Sequence, residues 1–142
     1  MLKGINWIAV IIAVVLLQVL GFLWFGPVFG KAWAAAMGKT GDMGGGSNML
    51  MALGVVNTLI CVTGLAWLLG KVGAGTLGAA ITTSVAAWFF FSLTTSSLEY
   101  IYMGMSLQLL ELNAGYLLVS FVLAGATLNL VKFGAPAAAA AA

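Results

Sequence analysis

Four long apolar runs, separated by short polar segments, constrain the fold of this chain more than any other feature. They cover about residues 4–25, 48–69, 76–98 and 109–131. A helix of about 20 residues spans about 30 Å, the thickness of a hydrocarbon core. Barrel strands would instead be about 10 residues long and alternate apolar with polar positions. We therefore predict an all-α integral membrane protein with four transmembrane helices, forming a single domain over residues 1–136.

The composition agrees with a bilayer environment and narrows the classes of function. Of the 142 residues, 63% are hydrophobic and 6% are charged, against about 25% charged in soluble domains. A net charge of +2 is too low and too dispersed for a nucleic-acid partner. We expect the lipid bilayer, other membrane subunits or further copies of this chain as partners, and no nucleic acid.

The residue types also limit the metal-binding and catalytic chemistry that the chain can support. The chain has no His and a single cysteine, Cys61, so the commonest metal ligand and the usual general base are both missing. No phosphate-binding loop and no nucleophile paired with a base is recognisable. We predict that the protein is not an enzyme and has no catalytic residues, no cofactor and no metal site.

The segment after the first run predicts a short helix lying on the membrane surface, over residues 27–37. Pro27 suits a first helical turn, and Phe29, Trp33 and Met37 recur every four residues to form one apolar face. A disordered loop is the alternative. The tail over residues 137–142 consists of alanine alone and predicts no element.

Lysine placement predicts the orientation. With four spans both termini lie on one side, which carries Lys3, Lys71 and Lys132. The other side carries two lysines and all three acids: Lys31, Lys39, Asp42, Glu99 and Glu111. Cytoplasmic loops are enriched in lysine, so we expect both termini in the cytoplasm.

Small and polar residues indicate helix–helix contacts. Small residues crowd the start of the third run, and small side chains four apart let helix backbones approach closely in lipid. A second series steps by three or four residues along one face of the fourth run. The predicted interface residues are Gly75, Gly78, Ala80, Ser84, Asn113, Tyr116 and Ser120. The alternative for the small residues is the general abundance of Gly and Ala in membrane helices.

Other polar residues allow a polar path. Gln18 and Asn57 lie deep in the first and second runs, whereas Glu99 and Glu111 lie at the ends of the third and fourth. Such amides either hydrogen-bond across helix interfaces or face a small solute, and the two acids are either solvated or functional. If the third helix continues past Glu99, we expect partial burial of this acid and a partner such as Lys31 or Lys39.

An aromatic run lies at mid-span in the third segment. It consists of Trp88, Phe89, Phe90 and Phe91. Such a cluster can contact a lipid tail, a flat hydrophobic cofactor or a neighbouring subunit, and it can equally be an ordinary packing surface. The lack of axial His ligands disfavours a pigment.

Three motifs resemble a known family. They are Ile5-Asn6-Trp7, the run GFLWFGPVFGKAW over residues 21–33, and Leu112-Asn113-Ala114-Gly115-Tyr116. Together they are similar to the bacterial membrane family catalogued as domain of unknown function 1761, over about residues 5–131. Family members often carry His where this chain has Leu117. The resemblance implies a four-helix protein of the bacterial inner membrane, and it implies no activity.

Two functions remain open from the sequence. The first is a structural or accessory subunit that packs through its helix faces into an oligomer or a larger membrane complex. The second is a homo-oligomeric channel or transporter for a small solute, which would need several copies because four helices rarely enclose a pore.

Overall fold

The computed structural model describes residues 4–38 and 48–134, and every regular element within these ranges is a helix. Six α-helices are interrupted by two π-helical segments, which we call the first and second π turns. In chain order the elements are α1 (Trp7–Leu23), the first π turn (Trp24–Val28), α2 (Gly30–Ala36), α3 (Asn48–Lys71), α4 (Leu77–Ala87), the second π turn (Trp88–Leu93), α5 (Thr94–Met103) and α6 (Leu107–Leu130).

Four stretches are long and apolar enough to cross a membrane: Trp7–Val28, Asn48–Lys71, Leu77–Met103 and Leu107–Leu130. The all-α prediction, with four such helices and a short helix after the first, is confirmed. The predictions for Lys3, Lys39, Asp42 and the alanine tail concern residues outside the described ranges.

Helix α6 lies at the centre of the bundle, because it packs against α1, α3, α4 and α5. The core between them is built from small and branched side chains, and Val10, Val62 and Ser84 are almost completely buried. Such compact side chains fill the space between the helices at the packing density typical of protein interiors, without long flexible side chains. The first half of α3 is different, since it is exposed to the surroundings at nearly every residue from 48 to 61.

Hydrogen bonds define two ends of the bundle. At the Lys71 end, the start of α1 and the α3–α4 connection both meet the end of α6: Asn6 Nδ2 donates to Val131 O (2.9 Å) and Asn129 Nδ2 donates to Gly75 O (3.2 Å). At the Glu111 end, Ser106 Oγ donates to Ala36 O (3.2 Å). The helices therefore alternate in direction.

The charged residues divide between these ends. Lys71 and Lys132 lie exposed at the Lys71 end, and Lys31, Glu99 and Glu111 lie exposed at the Glu111 end. The part of the chain that the structure describes contains no ion pair.

The third span is longer than predicted, since it ends at Met103 rather than near residue 98. Its end is set by Gly104, which has a φ of 64° and donates its N–H to Ile101 O at 3.3 Å, a left-handed conformation that glycine adopts without strain. The span of 27 residues is about 40 Å long at 1.5 Å per residue, so its ends extend beyond the hydrocarbon core. Glu99 is exposed there, and the burial expected for a longer helix is wrong.

The surface helix after the first span also differs from its predicted start. It begins at Gly30, because Pro27 belongs to the first π turn and Gly26 leaves helical geometry (φ −105°, ψ −105°). A Cβ at Gly30 would lie 2.7 Å from Phe25 O, so this turn requires glycine. The predicted apolar face packs on the first π turn: the Phe29 ring lies 4.6 Å from the Trp24 ring and the Trp33 ring 5.2 Å from the Phe25 ring.

Candidate functional site

Two tryptophans join the first and third spans to the same segment of α6. Trp24 Nε1 donates to Leu112 O (3.2 Å), and Trp88 Nε1 donates to Ala114 O (3.1 Å). Each tryptophan is the first residue of a π turn. An indole N–H within a membrane span has no water to bind, so it bonds to the second lone pair of a helix carbonyl. We call Trp24, Phe25, Trp88 and Tyr116 the aromatic junction.

Tyr116 fills the junction between α1 and α6. Its ring centroid lies 4.8 Å from that of Phe25 and 6.2 Å from that of Trp24. The lack of side chains at Gly21 and Gly115 leaves space for the Tyr116 and Trp24 rings. A Cβ at Gly21 would lie 3.2 Å from Tyr116 Oη, and one at Gly115 would lie 3.4 Å from the Trp24 ring. The phenol hydroxyl therefore lies directly against the backbone of α1.

Asn113 and Ser120 make local contacts on either side of Tyr116. Asn113 Nδ2 donates to Tyr100 Oη, which links α6 to α5. Ser120 is buried and its hydroxyl donates to Tyr116 O (2.8 Å). The predicted polar series of α6 thus faces other helices of the same chain.

A groove of ≈ 100 Å³ opens between α1, α3 and α6. Its apolar walls include Leu17, Val62, Leu65 and Phe121, and its polar atoms come from Asn57, Thr58, Tyr116 and Ser120. Aliphatic walls with a few amide and hydroxyl groups suit an apolar group that carries one hydrogen-bonding atom.

Gln18 and Asn57 differ in bonding, and of the two only Asn57 lines the groove. Gln18 Nε2 donates to Thr58 Oγ1 (3.1 Å), which in turn donates to Gly54 O (2.9 Å). Asn57 is exposed, and within the described ranges its side chain makes no hydrogen bond. Glu99 and Glu111 do not line the groove, so the structure does not join the four predicted polar-path residues into one path.

The crossing of α4 and α6 is tightly packed. Ala80 and Ser84 are both 0% exposed, and Ser84 Oγ donates to Ala80 O (2.8 Å). A Cβ at Gly125 would lie 2.1 Å from Ser84 Oγ, so glycine is needed there. Gly78 is open, with nothing within 4 Å of a Cβ, and Gly75 is exposed; these two residues do not lie in a close helix contact of the chain.

The second π turn divides the aromatic run into an inner and an outer part. Trp88 is half-buried and bonded to α6, whereas Phe89, Phe90 and Phe91 are 49%, 64% and 73% exposed. The three phenylalanines form an outward surface suited to lipid or to another subunit. Among the described residues, no three His, Cys, Asp or Glu side chains come together.

Two of the three motifs noted in the sequence meet in this structure, and the third binds the opposite end of α6. The first-helix motif packs on the α6 motif through Trp24, Phe25 and Tyr116, and Asn6 binds the far end of α6. A model of the family described as "Protein of unknown function (DUF1761)" matches residues 8–129. The chain belongs to this family. No curated protein and no solved structure matches the chain.

Some contacts of this DUF1761 chain were missed by sequence reasoning. The bond from Trp88 had a signal, because a polar N–H at mid-span needs an acceptor. Trp24 and Asn129 lie near the ends of their spans. The bonds of Trp24 to Leu112 O and of Asn129 to Ala74 O (3.3 Å) and Gly75 O (3.2 Å) therefore had no such signal.

Proposed function

We propose that the protein is a multi-pass membrane protein that acts as a structural or accessory subunit, packing by helix contacts into an oligomer or a larger membrane complex. The observation that carries the proposal is the unpacked surface of α3. Only 11% of its most apolar stretch is buried, against 28% in α1 and in α6. A span that packs little against its own bundle can contact the helices of other subunits.

Asn57, the polar residue on this surface, favours contact with another helix over contact with lipid alone. Asn57 is exposed among apolar neighbours such as Val56 and Ile60. An amide in hydrocarbon is costly without a hydrogen-bond partner, and polar residues of membrane helices hydrogen-bond across helix interfaces. A partner helix on α3 would satisfy Asn57 and cover the apolar residues around it.

The proposal assigns the protein no catalytic step. The groove presents one amide, two aliphatic hydroxyls, a phenol and the thiol of Cys61. In their usual states none of these groups takes up a proton at neutral pH. They are suited to binding and packing.

We also propose a location in the cytoplasmic (inner) membrane of a bacterium, with the Lys71 end in the cytoplasm. The support is the division of charge, with two described lysines at that end and one lysine beside two acids at the other. Lysine enrichment marks cytoplasmic loops.

The test is the native mass of the protein after gentle extraction from its own membrane. We expect it to run with additional subunits, its own copies or other chains, in a fixed ratio. A chain that runs alone as a monomer, at a concentration matching that in the membrane, would contradict the proposal.

The polar side of the groove favours a second candidate, a homo-oligomeric channel or transporter. The test places a cysteine at Asn57 or Asn113 in a Cys61→Ala background and probes it with a membrane-impermeant thiol reagent. A subunit with dry interfaces gives no labelling at either position. Ready labelling, together with solute flux in liposomes, would instead support the channel. Thr76→Cys, at an exposed position of the Lys71 end, is the positive control in permeabilised membranes.

A further inference from the structure

We propose that the exposed surface of α3 binds the same surface of a second copy, with Asn57 at the centre of the contact. The inference rests on the proposed assembly function and names its partner and its site. The surface consists of Gly54, Asn57, Cys61 and Gly64, which we call the Asn57 surface.

The four residues share one side of α3 and all are exposed. At 100° per residue they fall within an arc of about 80°. Nothing lies within 4 Å of a Cβ built at Gly54 or at Gly64. No described part of the chain fills the space above these glycines, and their lack of side chains lets another backbone come close.

The chemistry of Asn57 indicates what covers this side. It is the tenth of the 24 residues of α3, about 14 Å from the start of the helix at 1.5 Å per residue and so near mid-membrane. Its amide makes no hydrogen bond within residues 4–38 and 48–134. An amide both donates and accepts, so one asparagine can satisfy another.

Membrane topology makes a second copy the fitting partner. Two copies inserted in the same orientation are related by a two-fold axis along the membrane normal, and such an axis brings equal residues together at equal depth. Asn57 then meets Asn57, and Cys61, one helical turn further along, meets Cys61. A buried asparagine pair fixes the register of parallel helices in the same way.

Cys61 offers a direct test, because it is the only cysteine of the chain. Native membranes are treated with copper phenanthroline, which uses O₂ to oxidise two thiols to a disulfide. We expect a dimer of the unmodified chain joined through Cys61. In the control, Cys61→Ala with Val56→Cys moves the thiol about 140° around the helix to another exposed position, and we expect far less dimer.

Substitutions then separate the Asn57 surface from other causes of proximity. Asn57→Ala is expected to lower dimer association about three- to tenfold, the effect of one interhelical hydrogen bond in lipid, and Asn57→Gln to lower it less. Gly54→Leu and Gly64→Leu block the close approach and should abolish the dimer. Gly70→Leu is the matched control, since nothing lies within 4 Å of its Cβ either and it lies on the opposite side of α3.

The outcomes distinguish this inference from the proposed function. A native complex of fixed mass without a Cys61 dimer overturns the second copy as partner and leaves the assembly function standing. Dimer formation that is equal for Cys61 and for Val56→Cys, or insensitive to Gly64→Leu, also overturns it. A monomer in both experiments overturns both proposals.

Discussion

Among single residues, the contact between Gly125 and Ser84 sets how closely α4 and α6 approach. Replacement of Gly125 by alanine would place a methyl group 2.1 Å from Ser84 Oγ and 3.2 Å from Ala80 O. Because Ser84 is fully buried, it has little room to move. We expect Gly125→Ala to lower the free energy of unfolding by about 1–3 kcal/mol, the range of overpacked cores, measured by thermal unfolding in detergent.

The control and the rescue for this prediction lie in the same bundle. Gly70→Ala adds the same methyl group where nothing lies within 4 Å, and we expect no loss of stability, since alanine is the better helix former. Ser84→Gly should restore part of the stability of Gly125→Ala, because it removes Ser84 Oγ and Cβ, the two atoms nearest the added methyl group. Equal stability of Gly125→Ala and Gly70→Ala would show that α4 and α6 are further apart than described.

The two indole hydrogen bonds allow a second prediction at the residue scale. Trp24→Phe and Trp88→Phe each remove one N–H bond to a carbonyl of α6, which contributes about 0.5–1.5 kcal/mol. Trp67→Phe is the matched control, because Trp67 Nε1 is buried without a hydrogen-bond partner in the described structure. We expect both junction variants to unfold at lower temperature than Trp67→Phe. A larger loss for Trp67→Phe would contradict the assigned bonds.

The elements of this fold differ in how far the sequence determines them. Uncharged apolar runs predicted all four spans, because in lipid a single segment can pair its own backbone N–H and C=O groups only as a helix. The π turns at Trp24 and Trp88 were not predicted, and the bonds of their indoles to α6 are tertiary contacts without a local pattern. The start of α2 was misplaced because Pro27 belongs to the first π turn and Gly30 meets the backbone of Phe25.

The candidate site was only partly predictable because helix periodicity identifies a face and not its neighbour. The spacing of Asn113, Tyr116 and Ser120 predicted one face of α6, but the pairing of Tyr116 with Gly21 and Phe25 depends on tertiary packing. Gly75 and Gly78 belong to the same predicted group of small residues as Ala80 and Ser84, yet only Ala80 and Ser84 are fully buried. Residue type and spacing do not determine which part of a helix meets its neighbour.

The ends of α1 and α6 are held together by one side chain, which gives a prediction at the element scale. Asn6 Oδ1 accepts from Ala9 N (3.2 Å), while Asn6 Nδ2 donates to Val131 O (2.9 Å) and Phe133 O (3.1 Å). Asn6→Ser keeps a helix cap but loses the bonds to α6, and Asn6→Ala loses both.

Amide hydrogen exchange should separate these two roles of Asn6. We expect Asn6→Ser to speed exchange near Val131 and to leave Ala9 protected, whereas Asn6→Ala speeds exchange at both places, because a lost cap costs about 1 kcal/mol. Unchanged protection of Val131 in both variants would show that the end of α6 is held by other contacts.

Viewed as a whole molecule, the bundle is asymmetric in two ways. Helices α1, α4 and α6 form a close-packed unit, while the first half of α3 stands exposed beside the groove. Packing of membrane helices follows van der Waals contact and hydrogen bonding, so the closed side needs no partner and the open side offers one. The charge asymmetry is independent of this packing asymmetry, because it concerns the two ends of the bundle, and it is the support for the proposed orientation.

The orientation gives the last prediction, and two exposed turn positions suit its test. Val72 lies at the Lys71 end and Met105 at the Glu111 end, with 56% and 47% exposure. In a Cys61→Ala background, each is replaced by cysteine and intact cells receive an impermeant maleimide. Because lysine-rich ends stay in the cytoplasm, we expect Met105→Cys to be labelled in intact cells and Val72→Cys only after permeabilisation. The reverse pattern would contradict the proposed orientation, and Lys71→Glu combined with Lys132→Glu should weaken the expected preference for a cytoplasmic Lys71 end.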